Sequence, residues 1–353
     1  MSGEPPGVLP RIALLSLEPW DDTWRRNQHL ASALVAGSMV DRMTFVEPAE
    51  KKSSRTSREP LPGITVYTPV STLPGRLGRA RAVARQVRRD VLPDVDLLWV
   101  NDPVVGAYSL DGMPALYDVT DDWRLVAAAP HVRRRIVRSE DRLAQRARTV
   151  VCSSVLQERW RQRYGVTAEL VHNGVDVERH RQAQARPLDG VAPHVGYVGT
   201  LHRERLDVDL LLSLAADPRI GTLHLVGPDC LDVTSRERIA AGGIVLHGPV
   251  PATEVPTWMA SLDVLVCPHL ITPFTLSLDA IKAYEYAASG RPVVATPTSG
   301  FQHLAGQVRL ATGDDFADQV VNAWGSPPAG QTAPPTWEDR AAEMARVIRE
   351  VLA

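Results

Sequence analysis

Two rounds of strand–helix alternation, separated by one polar stretch, constrain this chain more than any other feature. In the first half, RIALLSL (11–17), MTFVEP (43–48), ITVYTPV (64–70), VDLLWVND (95–102), PALYDVTDD (114–122) and TVVCSS (149–154) read as buried strands. They are rich in Val, Leu and Ile and are bounded by turn residues. Helical patterns occupy 23–37, 76–91 and 132–147, and this alternation predicts a parallel sheet covered on both faces. Residues 178–193 (ERHRQAQARPLDGVAP) are polar, without strand pattern, and read as a linker. The second round runs through strand 194–201, helix 207–217, strands 222–228 and 243–250, helix 252–262 and strand 263–269. A helix opening near Ser277 and a strand at 292–297 complete it. After a Pro/Gly-rich stretch (326–335), an amphipathic helix spans 336–353.

The expected fold class is therefore α/β, with two doubly wound, Rossmann-like domains facing a cleft. The expected boundaries are 1–177 for the first domain, 178–193 for the linker and 194–335 for the second domain. The final helix, 336–353, is expected to pack back on the first domain. Sheets of this kind bind ligands at the carboxyl ends of their strands.

At 353 residues the chain is long enough for two cores. No run of about 18 apolar residues exists, so no spanning helix is expected. The first residues lack a basic leader and a small-residue cleavage site, which makes a cytoplasmic protein the expectation. The three cysteines, Cys152, Cys230 and Cys267, are far apart and suggest neither a disulfide framework nor a zinc site. Charge is uneven: residues 1–187 carry 28 basic against 22 acidic side chains, and residues 188–353 carry 11 against 19. The simplest cause is two solvated surfaces of different composition; the sharper one is a basic domain that meets an anionic acceptor or membrane face. Nucleic acid is not expected as a partner, because the whole chain is not basic and no aromatic platform accompanies the arginines.

Of the 39 basic residues only Lys51, Lys52 and Lys282 are lysine, which fits a high-GC bacterial genome and makes Lys282 conspicuous. It lies in FTLSLDAIKAYEYAASGRPVVATPTSG (274–300), three positions before Glu285 and so on the same helix face. A helix N-terminus there, with the Thr275 and Ser277 hydroxyls, would suit a phosphate. A Lys near diphosphate and a Glu reaching ribose hydroxyls would suit a nucleotide diphosphate. The ordinary reading, a surface Lys–Glu pair beside an N-cap Ser, stands beside it. The stretch HVGYVGTL (194–201) is a second candidate. Gly196 and Gly199 let backbone approach a ligand, and Arg203 and Arg205 follow.

These residues carry a resemblance. YVGTLHRERLDVDLL, LHGPVPATEVPTWMASLDVLVCPH and FTLSLDAIKAYEYAASGRPVVATP together resemble the donor half of a GT-B glycosyltransferase of the retaining "glycosyl transferases group 1" set. Within that set the chain is most similar to teichuronic-acid-type enzymes. HNGVD (172–176), SEDRLAQRARTVVCSS and WRRNQHLASAL fit as well, and the resemblance covers about residues 11–300. It implies that Glu285 binds the ribose, that Arg205 and Lys282 bind the diphosphate, and that backbone near Val250 contacts the base. The implied donor-binding set is Gly199, Thr200, Arg205, Val250, Thr275, Ser277, Leu278, Lys282 and Glu285. Three residues depart from the family pattern: Thr200 stands for an Arg, Ser277 for the first glutamate of a pair, and Thr120 for a His.

The first domain would then hold the acceptor, a small molecule, a glycan or a lipid-linked molecule. In LEPWDDTWRRNQH, Trp20 and Trp24 would stack on a sugar, and Asp21, Asp22 and Arg25 would bind hydroxyls or an anion. Relatives often have a Gly-Gly pair in this loop, and this chain has none. An exposed loop with two half-buried tryptophans is the ordinary reading. In DVTDDW (118–123), Asp121 aligns with a strand-end Asp of the family, giving Arg205, Lys282 and Asp121 as the expected catalytic set and Asp122 as an acceptor contact. Asp118, Asp121 and Asp122 also read as a metal-binding carboxylate set. No metal or other cofactor is expected, since Arg205, Lys282 and a helix dipole would balance the leaving diphosphate.

Residues 76–91 form an amphipathic pattern in which Leu77, Ala80, Val83, Ala84, Val87 and Val91 oppose Arg76, Arg79, Arg81, Arg85, Arg88 and Arg89. It reads as a core-facing helix with a solvated arginine face, or as a helix lying on an anionic membrane. The resemblance implies a glycosyltransferase moving sugar from a nucleotide diphosphate to that acceptor with retention, in cell-envelope glycan or natural-product biosynthesis. The rival readings are an epimerase, phosphorylase or pseudo-glycosyltransferase on the same scaffold, or a nucleotide-sugar-binding protein without catalysis.

Overall fold

In the first half of the chain, β-branched and Leu-rich runs end at polar turns, and most are followed by a helix that leads back to the sheet. The computed structural model describes residues 8–51, 54–74, 78–126, 128–326 and 333–353. It divides into two compact units, Met1–His172 with Trp337–Ala353, and Asn173–Thr336.

The first unit holds an eight-stranded sheet. Its strands are β1 (Arg11–Leu15), β2 (Arg42–Val46), β3 (Thr56–Leu61), β4 (Ile64–Thr68), β5 (Leu97–Val100), β6 (Ala115–Val119), β7 (Arg148–Val151) and β8 (Glu169–Leu170). They lie in the order β3-β4-β2-β1-β5-β6-β7-β8. All neighbours are parallel except β3 and β4, which form a hairpin through Gly63 at φ 77°. The apolar runs alone do not reveal β3, because TSREPL is an exposed edge strand whose pairing comes from the turn. The crossover helices are α1 (Arg26–Ala36), α2 (Arg79–Asp90), α3 (Pro103–Ser109), α4 (Pro130–Leu143) and α5 (Ser154–Tyr164). The sheet is buried on both faces, with Leu14, Phe45, Trp99, Tyr117 and Trp160 essentially inaccessible.

Within α2, Ala80, Val83, Ala84 and Val87 are buried. The apolar stripe is therefore spent on this unit's own core, which corrects the membrane reading of residues 76–91: the face that would enter a bilayer is occupied. Arg81 lies over Tyr108 at 5.1 Å and Arg89 pairs with Asp90 at 2.7 Å. Arg76 and Leu77 lie outside the described residues. Among the described residues no helix is long and apolar enough to cross a membrane.

The second unit holds β9 (His194–Val198), β10 (Leu201–His202), β11 (Thr222–Val226), β12 (Asp229–Cys230), β13 (Val245–Gly248), β14 (Val264–Cys267), β15 (Val293–Ala295) and β16 (Arg309–Leu310). Its main sheet is parallel, ordered β13-β11-β9-β14-β15-β16, and β10 pairs separately with β12. The helices are α6 (Val177–Arg181), α7 (Val208–Ala216), α8 (Val233–Ala241), α9 (Val255–Ser261), α10 (Ile281–Ala288), α11 (Ser299–His303) and α12 (Asp315–Ala323). Residues 178–193, expected as a linker, begin inside α6 and belong to this unit. The last helix, α13 (Trp337–Leu352), groups with the first unit, where Trp337 stacks on His29 of α1 at 4.5 Å. Cys152 and Cys267 are buried and Cys230 is exposed, and none of the three is in a disulfide.

One buried acid in the first unit has no chemical task in any reading of the sequence. Glu140 of α4 is 1% exposed; its Oε1 accepts from Tyr117 at 3.3 Å while Oε2 has no hydrogen-bond partner. Burial raises its pKa to about 7, against the opposing pull of Arg163 and Arg124. The folded value lies above the unfolded one, so the folded form holds the proton more tightly, and stability falls as pH rises from the ordinary carboxylate range to about 7. Glu140→Gln is expected to stabilise the protein by about 1–3 kcal/mol at pH 8. The gain should shrink toward pH 5 in paired thermal melts, and an equal gain at both values would show that Glu140 is not the titrating group.

Candidate active site

At the carboxyl end of β9 the chain makes a sharp departure at Gly199, whose φ is 144°. A Cβ there would clash with Lys282 Nζ and lie 3.0 Å from its Cε. The glycine is thus required twice, by its backbone conformation and by the lysine lodged against it. Gly196, by contrast, makes room for packing: a Cβ would sit 2.6 Å from the Leu262 methyl groups. That accounts for it without a ligand.

Lys282 lies in the first turn of α10, partly covered. Its ammonium donates to the Tyr197 hydroxyl and sits 3.9 Å from the Tyr197 ring centroid. Burial lowers its pKa to about 8, a shift that Cys267 and Glu285 oppose and Arg205 reinforces. Arg205, on the loop after β10, has its guanidinium 5.5 Å over the Phe274 ring, with its carbonyl accepting from Leu270 N–H at 2.7 Å. His202 and His269 complete the basic group. Burial lowers both imidazoles, with Lys282 and Arg205 adding to the effect, so both stay neutral beside the two cations. Sequence reasoning missed Tyr197, His202 and His269. The only available signal was their adjacency to strand ends, which many inert residues share.

Glu285, one turn on, keeps partial solvent access, and burial still raises its pKa, with Lys282 as the main opposing influence. Among the described residues its carboxylate accepts no hydrogen bond. Arg203, by contrast, pairs with Asp232 at 2.5 Å.

The helix does not open at Ser277. Thr275–Ser277 is a single 3-10 turn, Leu278 is extended (ψ 137°), and α10 begins at Ile281 after Ala280, with no side-chain cap. The hydroxyls explain the displacement. Thr275 Oγ1 donates to the Leu270 carbonyl at 2.5 Å and Ser277 Oγ to the Phe274 carbonyl at 2.6 Å, holding a turn that competes with helix. Thr275 and Ser277 are fully buried and Leu278 is 8% exposed, which corrects their expected place as donor contacts through their side chains. The turn is pinned from the start of the unit: Asn173 N–H donates to Asp279 Oδ2 at 2.6 Å and Tyr284 to Asp279 Oδ1 at 2.9 Å. Thr200 takes part through its carbonyl, which accepts from Tyr197 at 3.0 Å. Val250 is half-buried after β13, against this unit's core.

In the first unit the loop after β1 gathers Trp20, Asp21, Trp24 and Arg25. The Trp20 and Trp24 rings meet edge to face at 5.8 Å, and Arg25 pairs with Asp21 at 3.0 Å and with Glu18. Trp24 and Asp21 are exposed, and Trp20 packs on Phe45 at 5.0 Å. Asp22 is exposed in the same loop. Asp121, after β6, lies close enough to Glu18 to raise its pKa, though burial is the larger cause.

Asp122 is not an acceptor contact in this structure. It is 2% exposed and accepts from Arg159 at 3.0 Å and Arg163 at 3.4 Å, so its charge is spent on α5. Asp118 likewise is buried and paired with Arg26. The three aspartates therefore do not converge, and among the described residues no group of three or more His, Cys, Asp or Glu side chains is placed to hold a metal ion.

Comparison with known proteins agrees with this architecture. Residues 192–325 match the family described as Glycosyl transferases group 1. A candidate teichuronic acid biosynthesis glycosyltransferase of Bacillus subtilis (strain 168), TuaH, is 26% identical over 311 residues, spanning 77% of this chain and 76% of that protein. Among solved structures, sucrose-phosphate synthase from Thermosynechococcus elongatus superposes with a TM-score of 0.73 at 18% identity, covering 97% of this chain and 99% of that one. Anabaena HepE, solved in complex with UDP and glucose, gives a TM-score of 0.62 at 16% identity, with 97% of both chains covered. The greater part of the second unit thus matches the Glycosyl transferases group 1 family, and the chain is a glycosyltransferase of the GT-B fold.

Proposed function

We propose that the second unit binds a nucleotide diphosphate sugar through Lys282, Arg205 and the N-terminus of α10, and that the sugar passes with retention to an acceptor held by the Trp20–Arg25 loop. The observation that carries this reading is the seat of Lys282: a lysine in an arginine-rich chain, partly covered at a strand end against Gly199, whose positive φ and close approach to Nζ favour glycine. A buried ammonium costs stability, and an arriving diphosphate would offset that cost. The first N–H groups of α10 lack a side-chain cap and would add donors. Glu285, with an unbonded carboxylate one turn away, is placed to accept from the ribose hydroxyls. Two cations and a helix dipole would stabilise the departing diphosphate without a metal. Arg205 and Lys282 would act there, with Asp121 near the acceptor loop. The relative named for teichuronic acid biosynthesis supports an envelope glycan acceptor, and the structure solved with UDP and glucose supports a nucleotide-sugar donor.

The test is slow hydrolysis. The protein is incubated with UDP-, GDP- and dTDP-sugars, with and without EDTA, and released nucleotide is measured. Release from one nucleotide class, unchanged by EDTA, is the expected result; loss of release in EDTA would overturn the metal-free part. Glu285→Gln should weaken donor binding by about tenfold, the loss of hydrogen bonds to a charged acceptor. Its melting temperature should be unchanged or slightly raised, because the substitution removes a carboxylate that burial disfavours. A large drop in melting temperature would make Glu285 a structural group.

A further inference from the structure

Tyr197 is the last inward-facing side chain of β9, 1% exposed, and its hydroxyl meets three groups. It donates to the Thr200 carbonyl at 3.0 Å, receives the Lys282 ammonium, and lies 3.4 Å from His269 Nε2. With its one proton committed to the Thr200 carbonyl, the phenol oxygen is left as an acceptor. The ring supplies a second attraction, since Nζ lies 3.9 Å from its centroid. Gly199, without a Cβ, leaves room for the ammonium beside the phenol oxygen.

We propose that Tyr197 is a positioning residue for Lys282, holding Nζ at the Gly199 turn so that its remaining protons point to the place where a donor phosphate would sit. The proposal rests on the reading of Lys282 as a phosphate-binding group. An unrestrained lysine would spread over many rotamers, and each donor it offered would carry that ordering cost at binding. Fixing Nζ beforehand moves the cost into folding. The charged and titratable groups facing Nζ are Arg205, His202 and His269 from the strand-end loops, Cys267 from β14 and Glu285 from α10. Of these only Glu285 is anionic when ionised at neutral pH, so the phenol oxygen is the chief neutral acceptor for the ammonium.

The chain has three lysines, so ε-13C-lysine labelling of the full-length protein gives three signals, and Lys282→Met identifies the third. In wild type that signal should titrate near pH 8. In Tyr197→Phe, which keeps the ring and removes the acceptor, it should titrate about one unit lower, the effect of losing one hydrogen bond to the charged form. The Kd for the preferred nucleoside diphosphate at pH 7.5 should rise about tenfold with nucleoside affinity unchanged. An unshifted titration in Tyr197→Phe overturns the proposal. Should Tyr197→Phe fail to fold, relaxation of the Lys282 ε-13C signal in the wild type decides: motion as free as that of exposed Lys51 counts against the proposal equally. If Lys282→Met leaves diphosphate affinity intact, the donor-site reading fails, while the titration still decides whether Tyr197 holds the lysine.

Discussion

Replacing Lys282 by methionine is expected to weaken nucleotide diphosphate binding by about 100-fold while changing nucleoside binding by no more than about twofold. The asymmetry follows from where the ammonium sits. Nζ is at the Gly199 turn with Arg205 and His202 near it, and the proposed site puts diphosphate there rather than the base. The same substitution should stabilise the protein. Burial lowers the folded pKa to about 8 from the ordinary lysine value of 10.5, so the cost of burying the charge is fully present below pH 8 and fades as pH rises toward the unfolded value. Lys282→Met should gain about 1–3 kcal/mol at pH 7 and less at pH 10. Binding should show the counterpart: diphosphate affinity of the wild type falls above pH 8 as the free site loses its proton, and the methionine variant lacks that limb. Arginine should not rescue, because its planar fork does not present a compact ammonium at that point. Isothermal titration with nucleoside and nucleoside diphosphate across pH 6–10 reads all of these. Equal losses for both ligands would mean that Lys282 does not touch phosphate.

The alternation of apolar strands and helices made the two α/β units legible, because a parallel sheet buried on both faces writes itself as continuous Val/Ile/Leu runs. Lys282 and Glu285 were legible for a different reason: an isolated residue type and a three-residue spacing survive in one dimension. The places where the sequence misled have local causes. FTLSL reads as a helix start, yet Thr275 and Ser277 spend their hydroxyls on carbonyls of their own turn, which delays the helix to Ile281. Asp122 reads as a strand-end ligand, and only the position of α5, 37 residues further along at Arg159, shows that Arg159 and Arg163 claim it. Tyr197, His202 and His269 meet Lys282 from three separate segments, a convergence that no periodicity encodes. Trp20, Asp21, Trp24 and Arg25 were found together because they are neighbours in one loop.

The largest loss of stability should come from a pair with no catalytic task. Arg26 opens α1 at 5% exposure, and Asp118 is inaccessible in β6. Arg26 Nε donates to Asp118 Oδ2 at 3.0 Å, Nη2 to Oδ1 at 3.2 Å, and Nη1 to the His172 carbonyl at 3.1 Å. Removing the guanidinium leaves a carboxylate in the centre of the sheet without its counter-charge. Arg26→Met is therefore expected to cost about 3–5 kcal/mol, seen as an earlier first transition in urea. Asp118→Asn, which keeps the shape and part of the hydrogen bonding, should cost less. The double variant Arg26→Met with Asp118→Leu should recover most of the loss, because two apolar side chains remove the unpaired charge along with the pair. Strict additivity of Arg26→Met and Asp118→Leu, each also measured alone, would show that the pair is not coupled. The consequence reaches function through geometry: α1 starts one residue after Arg25, so a loosened Arg26 frees the loop that carries Trp20, Asp21 and Trp24. In an assay with acceptor present, Arg26→Met protein that is still folded should show a raised acceptor KM, while its affinity for nucleotide, proposed to bind the other unit, stays at the wild-type value.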